Sequence, residues 1–105
     1  MNIFYEESGH FKAACIVQKN DSTYQADTLH GKRVKIKAGN VFLEFDGNMD
    51  TFMQNAQDEA AAIDTGLLWE CVGTDEFTFR EAAQEYFGSE PKAVQLAATL
   101  MALYA

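Results

Sequence analysis

Residues 31–46, GKRVKIKAGNVFLEFD, constrain the fold more than any other stretch of the chain. Val34, Ile36 and Ala38 alternate with Arg33, Lys35 and Lys37, a two-residue period that fits a strand with an apolar inner face and a basic outer one. Gly39-Asn40 supplies a turn, and Val41, Leu43 and Phe45 begin a second alternation. Four of the eight Lys and Arg residues (Lys32, Arg33, Lys35, Lys37) fall within six positions. Such a row can meet a charged partner. It can equally keep an exposed edge soluble, since lysines on a strand blunt edge-to-edge pairing.

Upstream, residues 2–5 read as a first strand and residues 6–9 (EESG) as its turn. Residues 11–19 form the next strand, QKNDST the polar turn after it, and residues 24–29 a weaker alternation. Four or five short strands at this spacing predict a small antiparallel β-barrel over residues 1–46, of SH3-like rather than full OB-fold length.

The pattern changes at Gly47. Phe52, Met53, Ala56, Ala60 and Ile63 recur at helical spacing across residues 50–64, with Asp50 placed to cap the start. LLWECV (67–72) reads as a short second helix with Trp69 as a core anchor. Thr78 and Glu81 make a capping box ahead of Ala82, Ala83, Tyr86 and Phe87, and Gly88 is a suitable stop. Pro91 then opens a last helix bearing Val94, Ala97, Ala98, Met101 and Tyr104 on one face. The expected whole is α+β, with a barrel at 1–46 and a helical, winged-helix-like segment at 47–105. That last helix is still apolar at Ala105, as in an excerpt from a longer protein. Its only cation is Lys92, so it reads as a packing helix rather than one that enters a DNA groove.

The net charge of −8 is unevenly spread. Residues 1–46 hold six basic and six acidic side chains, whereas residues 47–105 hold ten acidic ones against Arg80 and Lys92. A self-sufficient nucleic-acid binder is normally basic overall, so RNA binding by this chain alone should be weak. No apolar run approaches the roughly 20 residues of a membrane span, and the acidic, aromatic N-terminus is not a leader peptide, so a cytoplasmic setting is expected.

No catalytic constellation is found, and the chain itself is not expected to be an enzyme. Cys15 and Cys71 belong to no C-x-x-C pair, and Cys15 within ACIV reads as a small core hydrophobe. His10 and His30 fall in expected turns. Glu70, Asp75 and Glu76 could be imagined around Mg²⁺, but their spacing forces no convergence, and a solvated acidic face is the plainer reading. Met49, Met53 and Met101 read as core gap-fillers.

The segments MNIFYEESGHFKAACIV, TLHGKRVKIKAGNVFLEF and WECVGTDEFTFREAAQEYFG resemble the N-terminal region of proteobacterial proteins in the ribonuclease II/ribonuclease R exoribonuclease family. The resemblance runs over nearly the whole chain. It implies a parent that degrades RNA from the 3′ end, with Mg²⁺ held by aspartates in a downstream catalytic domain, none of whose motif is present here. No cofactor is implied for the residues at hand. Family members usually place OB-type cold-shock modules ahead of that domain, where they guide single-stranded RNA. The stretch here is shorter, has no K-G-F-G-F motif, and is followed by acidic helices. Two expectations follow. One is an RNA-guiding region whose contacts are Lys32, Arg33, Lys35 and Lys37; phosphate contacts by the last three would give a salt slope of about −2, with Phe4, Tyr5 and Tyr24 as conceivable stacking faces. The other is a protein-interaction module whose acidic helices dock on the downstream catalytic domain or on another basic protein.

Overall fold

The first hairpin is set by two residues. Ser8 and Gly9 both adopt positive φ (52° and 82°), the conformation of a type I′ turn, whose twist matches that of the strands it joins. Gly9 N donates to Glu6 Oε1 across the turn at 2.6 Å. The turn pairs β1 (Asn2–Glu7) with β2 (His10–Lys19), placing Glu7 opposite His10 and Asn2 opposite Cys15. The chain continues through β3 (Thr23–Thr28), β4 (Arg33–Lys37), a 3-10 turn at Ala38–Asn40 and β5 (Val41–Phe45). Four helices follow: α1 (Met49–Ala62), α2 (Thr65–Val72), α3 (Phe79–Phe87) and α4 (Ala93–Leu103). This computed structural model describes residues 1–73 and 78–104.

The strands form one antiparallel sheet in the order β4-β3-β2-β1-β5. The protein is therefore α+β, but the expected barrel is not closed: β4 and β5 are the two edges. Closure needs edge strands long and staggered enough to share a register. Here each edge strand has five residues, and only the 3-10 turn links them. Side chains bridge the open side instead. Lys19 on β2 pairs with Glu44 on β5 at 2.9 Å, and Tyr24 Oη on β3 donates to the same carboxylate at 3.2 Å. In a flat sheet β3 and β5 would stand three strand spacings apart, about 14 Å. Their contact requires the sheet to curl.

The chain divides into two compact units, Met1–Met53 and Gln54–Ala105, with the division inside α1. In the first unit the inner face of the sheet buries Ile3, Tyr5, Ala14, Tyr24, Ala26 and Ile36. On the opposite face Phe4, Ala13, Leu43 and Phe45 are buried with Phe52 from the first turn of α1. Phe52 stacks on Phe45 with centroids 3.6 Å apart and meets the Phe4 ring edge-on at 6.0 Å. Asn2, also buried, donates from Nδ2 to Gly47 O at 2.7 Å. Asn48 rather than Asp50 starts α1: its Oδ1 accepts from Thr51 N, while Asp50 lies in the first turn near the positive end of the helix dipole.

The second unit packs small residues between helices, with Ile63, Leu68, Ala82, Ala98 and Ala102 at its centre. Asp64 caps α2 by accepting from Leu67 N, and its own N–H donates to Tyr86 Oη at 3.0 Å. The Thr78–Glu81 capping box forms in both directions at 3.1 Å, and α3 stops at Gly88, where φ is 114°. Lys92 holds the N-cap position of α4, one residue past Pro91. Positions 96–100 of α4 are all buried, so this helix is a packing element.

Three core assignments are corrected. Trp69 is 48% exposed, because a helix turns 100° per residue and Leu68, fully buried, takes the inward position between Leu67 and Trp69. Cys15 is exposed: Ala14 points into the curled face, and Cys15 points outward with Asp27 opposite it. Tyr104, 70% exposed, follows α4 as its C-cap and does not continue the buried face, on which Met101 is only half-buried. No described helix is long and apolar enough to cross a membrane.

Truncating Phe52 to Ala should destabilise the protein by about 3–5 kcal/mol in urea unfolding followed by circular dichroism, and Trp69→Ala should cost less. Thr78→Ala should cost about 1 kcal/mol through loss of the α3 cap. A Trp69→Ala effect equal to that of Phe52→Ala would restore the tryptophan to the core.

Candidate nucleic-acid interface

The register of the β3–β4 hairpin positions the basic residues. The turn closes through Gly31 N to Thr28 O and Thr28 N to Lys32 O, both 2.9 Å, with Gly31 at φ 78°. Asp27 thereby falls opposite Arg33, Gln25 opposite Lys35, and Thr23 opposite Lys37. Ile36 is buried and Val34 half-buried on the inner face, so Arg33, Lys35 and Lys37 project outward and are exposed. Side chains on one strand face recur about every 6.7 Å. β4 is also a sheet edge, so its cations border solvent along its whole length.

The three are not equivalent. Arg33 Nε contacts Asp27 Oδ1 at 2.9 Å and Nη2 reaches Oδ2 at 3.4 Å, a two-pronged cross-strand pair. The hydrogen-bonded guanidinium holds the Asp27 carboxyl below its ordinary value, and the same pairing raises Arg33. Among the described residues Lys35 and Lys37 make no ion pair, and the groups opposite them are uncharged. Lys32 sits in the turn, where its backbone N–H donates to Thr28 Oγ1 at 3.2 Å. Its charge acts on Glu7, whose carboxyl is lowered mainly by its hydrogen bond with Lys12 and to a minor degree by Lys32. The structure thus brings Arg33, Lys35 and Lys37 onto one strand face and leaves Lys32 at the end of the sheet.

Phe4, Tyr5 and Tyr24 are 0%, 2% and 7% exposed, so none presents a ring for a base to stack on. What β4 offers is a short row of ammonium groups beside the polar side chains of β3. That arrangement can neutralise phosphates without reading bases. Asp27 is the site residue that charge counting overlooks. Its signal lay in the hairpin, because a tight turn centred on Gly31 sets Asp27 against Arg33 by register alone.

Among the described residues no group of three His, Cys, Asp or Glu side chains converges to hold a metal ion. Glu70 is exposed on α2, and Asp75 and Glu76 lie outside the described residues. No family model, curated protein or solved structure matches the chain.

Arg33→Ala should raise the Asp27 carboxyl pKa in a carboxyl ¹³C NMR titration, because the hydrogen bond and charge that lower it are removed. Because pairing lowers the folded-state value, its contribution to stability is present above the carboxyl's ordinary value and fades as pH falls through the lowered one. The stability gap between the native chain and Arg33→Ala should therefore close in acid. A gap that widens in acid would contradict the pairing.

Proposed function

We propose that the chain is the N-terminal accessory region of a 3′-5′ exoribonuclease of the ribonuclease II/ribonuclease R type, where it guides single-stranded RNA toward a catalytic domain further along the same polypeptide. The observation that carries the RNA contact is the exposed edge strand β4, whose Lys35 and Lys37 face solvent without acidic partners among the described residues. The likeness to the family in FYEESG, HGKR-x-KIKA-x-NV and EFTFREAAQEYF supports the parent. Hydrolysis with Mg²⁺ belongs to the downstream domain, and the region itself contributes phosphate contacts.

Two features support an SH3-like reading of the first unit. The strand order places β5 beside β1 at one edge and β4 at the other, and a 3-10 turn carries the chain between those edges. The helix pair α3 and α4 supports the winged-helix likeness of the second. Docking of the acidic helices on a basic protein surface is the second reading, favoured by Leu67 and Trp69, each about half exposed on α2.

Fluorescence anisotropy with a labelled uridine-rich single strand tests the RNA contact. The native chain should bind weakly and lose affinity as salt rises. Lys35→Ala/Lys37→Ala should remove most of that salt dependence while circular dichroism stays native. Binding that ignores salt, or survives the double replacement, would sink the RNA reading and favour the docking one.

A further inference from the structure

The β4 row ends at a residue of opposite charge. Arg33, Lys35 and Lys37 share one outward face, yet their partners on β3 differ: Asp27 opposite Arg33, but neutral Gln25 and Thr23 opposite the lysines. Asp27 takes the Nε and Nη2 edge of the guanidinium, at 2.9 and 3.4 Å. On its other side, across β2, stands the thiol of Cys15, which brings no cation. A phosphate approaching the N–H groups that Asp27 leaves open on Arg33 must stand beside this carboxylate, whose negative charge opposes it. The net charge of that position is zero, so it has little counterion release to contribute.

Resting on the RNA-guiding reading above, we infer that Asp27 ends the phosphate track, confining it to Lys35 and Lys37 and so keeping the site to a two-phosphate stretch of single-stranded RNA. The acid is a specificity device of the site rather than a bystander on its rim. It withholds a third contact that the alternation of β4 otherwise provides.

The salt slope of binding reads the number of phosphates contacted, which a merely structural role for Asp27 would leave alone. With roughly 0.7 per contact on a single strand, the native chain should show a slope of about −1.4 and Asp27→Asn about −2.1. Between about 50 and 200 mM salt these correspond to losses of about sevenfold and about eighteenfold. Arg33→Ala should keep the native slope, and adding it to Asp27→Asn should restore the native slope. Asp58→Asn, an equal charge change at an exposed position on α1, should leave the slope where it is.

A native slope in Asp27→Asn, with binding still lost in Lys35→Ala/Lys37→Ala, would overturn the inference and leave the RNA reading standing. A reduced slope in Arg33→Ala alone would show that Arg33 already holds a phosphate, and would overturn it too. So would a slope in Asp58→Asn as steep as in Asp27→Asn, which would trace the effect to net charge. Binding indifferent to Lys35→Ala/Lys37→Ala would remove the RNA reading and this inference with it.

Discussion

The first four residues of strand β1 have no side left for water. Its two edges are paired with β2 and β5, and Ile3, Phe4 and Tyr5 are each at most 2% exposed. Ile3 and Tyr5 enter the inner face while Phe4 packs against Phe11 and Phe52 on the other. Burying such side chains is worth about 1.5–3 kcal/mol each, so four consecutive positions from Asn2 to Tyr5 anchor the whole first unit. Asn2 is admitted only because its amide donates to Gly47 O. The basic edge lies three strands away from this anchor. β4 can carry a charged face because its stability is borrowed through β3 and β2, and only Ile36 need be buried.

Charge in the first unit is spent in cross-strand pairs. Lys12 faces Glu7, Lys19 faces Glu44, and Arg33 faces Asp27. Three of the six basic residues of positions 1–46 are so engaged, which leaves Lys32, Lys35 and Lys37. The neutral sum of that segment therefore hides a local excess of positive charge along β4 and the turn before it. Against it stands the net −8 of residues 47–105. At physiological salt the Debye length is about 8 Å, so repulsion acting beyond that range is screened while direct lysine–phosphate contact is not. A weak, local, salt-sensitive contact is the electrostatic form that such a distribution permits.

The strands were readable wherever one face was dry and the other wet. Residues 33–38 and 41–45 alternate for that reason, and Ser8-Gly9 and Gly31 mark turns by their positive φ. The capping box at Thr78 was readable because both partners are local. What escaped was whatever depends on a neighbour distant in sequence. Cys15 lies in an apolar run, but the aromatic cover of that face reaches Ala13 and Phe11 and not Cys15. Trp69 is outranked by Leu68 for a position that only one of three consecutive residues can hold. Asp50 and Asn48 are both competent caps, and the last turn before α1 decides between them. At the site, the cations were readable by type, whereas the Arg33–Asp27 pair needed the hairpin register.

The curl of the sheet follows from the same packing. Lys19 and Glu44 are partly exposed, and exposed pairs contribute little, so their clasp with Tyr24 marks the curvature more than it enforces it. The driving term is on the inner face, where Ala14 and Ala26 sit at the centre with Tyr5, Tyr24 and Ile36 around them. Small residues in the middle leave a hollow that large residues from the flanking strands can fill only if the sheet bends over it. Bending toward that face turns the opposite face of β3 and β4 outward. Thr23, Gln25 and Asp27 are half-buried there, and the cations of β4 stand beyond them at the rim. Two alanines on one side of the sheet thus help to present the lysines on the other.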